Sequence, residues 1–308
     1  NPHLRSEDDA NIRFRPTLGE VPARLDLAVV SVERGQVPGV LRDCVAKEIL
    51  AAIVITQGFA DSDTEGARLQ QEIAGLIKTT RLRIIGPNTV GVASSRSHFT
   101  SSFIEVREDH VAIGQVAQSG LFMMGHHLVN NEPAGFCRAV DLGNACDVSV
   151  VDVLEHYAKD QGVRVIQCHV EGVADGPAFL AAAARIGKSK PIVLLKAGRT
   201  QAGREAVASH CGALAGDYQV FAAAMRKAGV VPADDAEDLR LLSKAFVTYS
   251  PPRGRRVAVV SFSGGGAVLA IDALESGGLT PASLSPETVA SMRDMFPDWM
   301  EVGNPVDM

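Results

Sequence analysis

Between residues 27 and 85, short β-branched runs alternate with longer stretches of helical period. Leu27–Val32 (LAVVSV), Ala51–Ile55 (AAIVI) and Leu82–Ile85 (LRII) read as buried strands. Val37–Leu50, with Pro38 in its first turn, and Asp63–Thr79 read as helices. A strand–helix–strand series of this kind buries its apolar faces as a parallel sheet covered by helices, with right-handed crossovers. A second series follows. Strands are expected at Val111–Val116, Arg138–Leu142, Val163–Val170, Pro191–Lys196 and Gly229–Pro232. Helices are expected at Gly120–Asn131, Val148–Lys159, Pro177–Ile186, Ala213–Ala228 and Ala236–Val247. This is a doubly wound unit of flavodoxin-like size. The Ser-rich, polar segment 92–110 reads as the junction between the two series. A second junction is TYSPPRGRRVAVV, where Pro251-Pro252 cannot continue a helix. Beyond it come one strand, a glycine turn, a helix, and one more helix within 281–296. The fold class is therefore α/β throughout.

Composition narrows the function. In a chain of 308 residues, 46% are hydrophobic and 21% charged, the balance of an ordinary globular protein of two or three domains. A net charge of −6 argues against a nucleic-acid partner, which calls for a basic field. The longest apolar run, Ile49–Ile55, falls far short of the ~20 residues of a membrane span. The polar start, NPHLRSEDDANIRF, has no signal-peptide core. Cys44, Cys137, Cys146, Cys168 and Cys211 are odd in number and unpaired in spacing, which suits reduced thiols and a cytoplasmic protein. A missing start methionine and a short last segment lead to the expectation of a chain cut at both ends.

Chemistry concentrates at a few places. His210 lies in VASHCGALAG, among Gly, Ala and Ser, as on a loop that moves or admits a close approach. Two strand-to-helix turns, Gln118-Ser119-Gly120 and Ser261–Gly266, offer free backbone N–H groups and a positive helix end to an anion. Either turn alone is ordinary helix capping, and neither is a P-loop. A third turn, IIGPNTVG, puts Asn88 at a sheet edge, where it closes the sheet or touches a ligand. Glu171 follows a strongly apolar strand and is placed to accept an imidazole Nδ1 proton, leaving Nε2 as a nucleophile. Asp175 is the better cap for the next helix, which leaves Glu171 for that task. His126, His127 and the Cys168-His169 dipeptide, whose side chains point to opposite faces, make no zinc site, and no metal is expected. Cys211 beside His210 reads as a filler, and no G-x-S-x-G elbow marks Ser119 or Ser209 as a hydrolase nucleophile.

These motifs, in order, resemble the NDP-forming acyl-CoA synthetases, the superfamily of succinyl-CoA synthetase and ADP-forming acetate–CoA ligase. SHCGALAG is similar to that family's SHTGALAG phosphohistidine loop, AQSG to SQSG, LGNACDV to LGNKADV and HVEG to YLEG. KPIVLLKAGRT is similar to KPVVVLKAGRS, IIGPNTVG to GPNCLG, and GNPVDM to NPVDL. The resemblance implies a partial CoA-binding Rossmann-like domain at 1–105, its front truncated. A flavodoxin-like domain with the phosphohistidine loop follows at 106–250, and the start of a second flavodoxin-like domain at 255–308. It implies that acid, CoA and ATP give acyl-CoA, ADP and phosphate through a phosphohistidine and an acyl phosphate. His210 would be phosphorylated and Glu171 would hold its ring. Gln118, Ser119, Gly120, Gly264, Gly265 and Gly266 would bind phosphate, and Pro2, Thr56, Gly58 and Asn88 would bind CoA. ATP and Mg2+ would bind an ATP-grasp domain or subunit not present in this chain, so an oligomer is expected, with a small carboxylic acid as substrate. His3 stands where the family has Lys, Glu33 where it has Pro, and Cys211 where it has Thr. A protein-acetyltransferase-type module and a CoA-sensing module without ligase activity are the rival readings. His210 counts against the former.

Overall fold

The computed structural model describes residues 14–103, 111–122, 135–211, 217–250 and 252–308, with the side chains of 208–211 outside that description. The chain forms two compact units, residues 1–249 and 250–308.

The first unit contains two sheets. β1 (Leu27–Val30), β2 (Ala51–Val54) and β3 (Arg83–Ile85) pair in parallel in that order. Helices α1 (Val37–Ala46) and α2 (Thr64–Lys78) bury Leu41, Cys44, Leu69 and Ile73 in a shared core with Val30, Val54 and Ile84. Helix α1 stops before Leu50, short of the expected end, because Glu48 turns left-handed at φ 58 and hands the chain to β2. Helix α2 starts at Asp63, whose carboxylate accepts the Gly66 N–H at 2.7 Å and pairs with Arg34 at 2.9 Å.

The second sheet has seven strands in the order β10-β9-β8-β6-β7-β4-β5. β6 (Ile113–Ala117), β7 (Arg138–Asp141), β8 (Val165–Val170), β9 (Ile192–Lys196) and β10 (Val231–Ala233) are parallel. Numbered along the chain, those strands run second, first, third, fourth, fifth, the flavodoxin order, with its switch point between β6 and β8. β4 (Val92–Ser94) and β5 (Phe99–Thr100) extend the edge in antiparallel fashion. The segment read from sequence as a junction thus supplies two strands. Its serines are consistent with an edge position: the Ser101 hydroxyl accepts the Val92 N–H at 2.9 Å.

Helices α3 (Val150–Lys159), α4 (Gly176–Ile186) and α6 (Tyr218–Lys227) cover one face, burying Leu154, Tyr157, Phe179 and Met225 against Ile166, Cys168 and Val170. Helix α7 (Ala236–Thr248) covers the other, where Leu239 meets Val165, Val193 and Leu195. Helix α5 (Gln201–Cys211) corrects the sequence reading of a loop at its start: residues 207–211 of VASHCGALAG are helical, and residues 212–216 lie outside the described residues. Alanine and glutamate earlier in this stretch favour helix, and Gly203 does not break it because Thr200 caps its N–H at 3.0 Å.

In the second unit β11 (Arg256–Val257) pairs with β13 (Thr280–Pro281), and β12 (Val260–Ser261) with β14 (Val306–Asp307). Helix α8 (Gly264–Ser276) follows the glycine turn, and α9 (Pro286–Met292) follows β13. The Asn304 side chain accepts the Val259 N–H at 2.8 Å and donates to the Val257 and Ala282 carbonyls. The asparagine of GNPVDM is therefore the tie that holds these short strands together.

Candidate active site

In an open parallel sheet, ligands bind outside the carboxyl ends of the strands at the switch point. Here the chain leaves β6 through Gln118-Ser119-Gly120 and leaves β8 at Glu171. The chain turns helical at Gly120, where the Phe122 N–H reaches the Ser119 carbonyl at 3.1 Å. A Cβ at Gly120 would stand 2.7 Å from Val90 Cγ1, so glycine lets this turn lie close to the loop after β3.

Gln118 does more than line the turn. Its Oε1 accepts the N–H groups of Glu171 at 2.6 Å and Gly172 at 3.0 Å, tying the β6 and β8 turns together. From the opposite side, Lys196 Nζ donates to the Glu171 carbonyl at 2.6 Å. Glu171 is 8% exposed and its main chain is fixed from two directions. Asp175 caps α4 by accepting the Ala178 N–H at 2.9 Å, so Glu171 is not spent on capping.

Two cavities flank the switch point. One, of about 490 Å3, includes Ser119, Phe122, His169, Glu171, Lys196 and Arg199 in its wall. The other, of about 590 Å3, includes Asn88, Gln118, Ser119, Gly120 and Asp141. Ser119 belongs to both. The Asn88 N–H reaches the Thr56 carbonyl at 2.9 Å, and the Thr56 hydroxyl reaches the Val32 carbonyl at 2.8 Å. Gly58 has φ 89 and its carbonyl accepts Arg34 Nη1 at 2.8 Å. Thr56, Gly58 and Asn88 thus follow the carboxyl ends of β2 and β3, and Asn88 shares a cavity with the Gln118–Gly120 turn.

Pro2 is outside the described residues, and His210 has its backbone in the last turn of α5 with its side chain outside them. Gly264, Gly265 and Gly266 open α8 in the second unit, with Ser263 Oγ accepting the Gly266 N–H at 3.2 Å. A Cβ on Gly264 would lie 2.8 Å from an Asp307 carboxylate oxygen, so that acid borders the turn.

Three residues at the site escaped the sequence reading. Lys196, within KPIVLLKAGRT, is buried at 6% exposure at the end of β9. Asp141 is 1% exposed and accepts the Val90 N–H at 2.7 Å; burial raises its carboxyl above the usual range. His169 is half of a dipeptide whose spacing does not suit zinc. Its neighbour Cys168 does enter the opposite face, while His169 near the end of β8 and Glu171 just past it both line the 490 Å3 cavity.

Burial first, and the Lys196 ammonium second, push the His169 imidazole down to about 4. An unfolded histidine takes its proton near 6.5. Between those values the unfolded chain binds more protons, so this ring lowers stability as pH falls from 6.5 towards 4. Denaturant titrations should show the parent losing about 2 kcal/mol more than His169→Gln between pH 7 and pH 5. Equal losses would mean that the ring is not held neutral.

Known proteins share this fold. Residues 111–246 match the family described as succinyl-CoA ligase like flavodoxin domain. The alpha subunit of acetate–CoA ligase [ADP-forming] II from Pyrococcus furiosus is 33% identical over 308 residues, 99% of this chain and 67% of that protein. Acetate–CoA ligase [ADP-forming] II from Archaeoglobus fulgidus is 35% identical, covering 96% of this chain and 44% of that protein. Among solved structures, dinucleotide forming acetyl-coenzyme A synthetase 1 of Ca. Korarchaeum cryptofilum, in complex with phosphate and ADP, superposes with a TM-score of 0.90. It is 30% identical, and the alignment covers 100% of this chain and 66% of that one. The chain belongs to the ADP-forming acyl-CoA ligase family. It spans about two thirds of the Pyrococcus subunit and under half of the Archaeoglobus protein. Among the described residues no helix is long and apolar enough to cross a membrane.

Proposed function

We propose that the chain is the CoA-ligase part of an enzyme that converts a small carboxylic acid, CoA and ATP into acyl-CoA, ADP and phosphate. His210 takes the phosphoryl group from ATP bound with Mg2+ on an ATP-grasp domain or subunit. Glu171 holds the His210 ring and stabilises the phosphoimidazole. The acid then takes the phosphoryl group, and the CoA thiol attacks the resulting acyl phosphate. In this reading residues 1–105 serve CoA, with Pro2, Thr56, Gly58 and Asn88 as contacts. Residues 106–250 carry the relay, and residues 255–308 begin a second ligase domain. The enzyme is a cytoplasmic oligomer.

The observation that carries the reading is the meeting of the Gln118–Gly120 turn with Glu171 at the switch point, beside a cavity shared with Asn88. A phosphohistidine brings about two negative charges. A helix N-terminus such as the one that opens at Gly120 offers such charge roughly 0.3–2 kcal/mol.

The test is incubation of the protein and its ATP-grasp partner with ATP labelled in the γ-phosphate. Acid-labile label on His210, discharged on adding an organic acid, is the expected result. Acetate, 4-hydroxybutyrate and trans-ferulate, scored by ADP release, narrow the substrate. Retained CoA binding without any label would instead identify a sensor module.

A further inference from the structure

We infer that His169 is a substrate-binding residue: its imidazole floors the 490 Å3 cavity and hydrogen-bonds the carboxylic acid, aligning its carboxylate for phosphoryl transfer. The inference rests on the ligase reading above and extends it to a residue with no role in that reading.

Three observations on the ring lead there. It is 4% exposed, yet it belongs to the wall of the cavity that also holds Ser119, Glu171 and Lys196. Among the described residues, its Nδ1 has no hydrogen-bond partner. A buried polar atom left without a partner costs about 1–3 kcal/mol, so a site that keeps one is built for something that arrives later. The ring is also held rigidly, stacked on Phe122 with centroids 3.8 Å apart and planes 15° from parallel. Phe122 in turn is fixed through its carbonyl, which accepts Gln115 Nε2 at 2.7 Å. A rigid ring can orient a ligand without losing much rotamer freedom on binding.

The chemistry favours a neutral ring. Lys196 and Arg199 already bring positive charge to this wall, so the ring adds direction rather than charge. An uncharged N–H donor aligns the carboxylate while leaving it nucleophilic. In the first step a carboxylate oxygen forms the O–P bond as the P–N bond to His210 breaks, with the electron pair returning to that imidazole. In the second, the CoA thiolate forms the C–S bond and phosphate leaves with the C–O pair. His169 transfers no proton in either step. It polarises the carbonyl as a neutral imidazole, whose cost of reorganisation is small. A cavity of about 490 Å3 accommodates an acid together with a phosphoryl group. Ser119, common to both cavities, marks where the acyl group and the thiol would meet.

The experiment compares the full protein with its ATP-grasp partner as parent, His169→Phe and His169→Gln. Phe keeps the stacked ring and removes its nitrogens; Gln restores a donor. Phosphoenzyme is made with labelled ATP, then discharged with acetate, 4-hydroxybutyrate or trans-ferulate, using the acid that discharges the parent fastest. For His169→Phe the half-saturating acid concentration is expected to rise about tenfold, the loss of one hydrogen bond. The rate of phosphorylation from ATP and the KM for CoA should stay within twofold, and His169→Gln should recover part of the loss. A half-saturating concentration within twofold of the parent overturns the inference while leaving the ligase reading standing. A fall in phosphorylation equal to the fall in discharge also overturns it, since that marks a structural role. A parent that takes up no phosphate, or whose phosphate none of the three acids discharges, removes the ligase reading and this inference with it.

Discussion

His210→Ala is expected to lower thioester formation by at least about 10^3-fold and to abolish acid-labile label on the chain. A covalent relay splits one transfer into two displacements, and alanine offers no atom on which the phosphoryl group can rest. The main chain of the groups that would serve the relay is held by residues other than His210. Gln118 Oε1 and Lys196 Nζ hold the Glu171 main chain, and Asn88 is held by the Thr56 carbonyl. CoA binding and the thermal midpoint should therefore stay near parental values, which separates lost chemistry from lost structure. Radiolabel from ATP and CoA-dependent thioester formation are the two readouts. Thioester formation within tenfold of the parent would end the relay as an explanation.

The order of strands and helices was legible because burial leaves a period behind. In β8, Ile166, Cys168 and Val170 face one core while His169 turns to the other side. The Asp175 cap was legible for the same local reason, an acid three residues before a free N–H. β4 and β5 were not. Their Ser and Thr content matches a linker, and only pairing with β7, far along the chain, makes Val92–Ser94 a strand. Helix α5 was hidden by the glycine-rich sequence after it, which drew the loop reading back over Val207. At the site, Glu171 and the Gln118–Gly120 turn could be found because each follows a strand. Lys196 also ends a strand, but its significance lies in burial at 6% exposure, which no local pattern reports. His169 carries no metal-ligand pattern; its signal is an Nδ1 that lacks a hydrogen-bond partner among the described residues and borders a cavity.

Gly143→Ala is expected to cost about 4 kcal/mol of stability, combining left-handed strain with overpacking against backbone. Gly143 has φ 53, and a Cβ there would lie 2.2 Å from the Asn88 carbonyl oxygen and 2.4 Å from that of Pro87. Neither contact is with a flexible side-chain end that could swing aside. The Asn144 N–H also donates to the Pro87 carbonyl at 2.9 Å, so the two turns are clasped where the first sheet meets the second. Asn144 continues the clasp through its side chain, donating to Asp61 at 2.6 Å and Gln70 at 2.9 Å. Relief of the clash must push the Asn88 turn away, and with it one wall of the 590 Å3 cavity. The thermal midpoint should therefore fall by about 10 °C, with CoA affinity falling alongside it. Gly75→Ala supplies the contrast: Gly75 lies exposed within α2 with nothing within 4 Å of its would-be Cβ. That substitution should raise stability by about 0.5–1 kcal/mol and leave CoA binding unchanged. Calorimetry on both variants decides the matter, because a clasp between the turns requires opposite signs from the same chemical change.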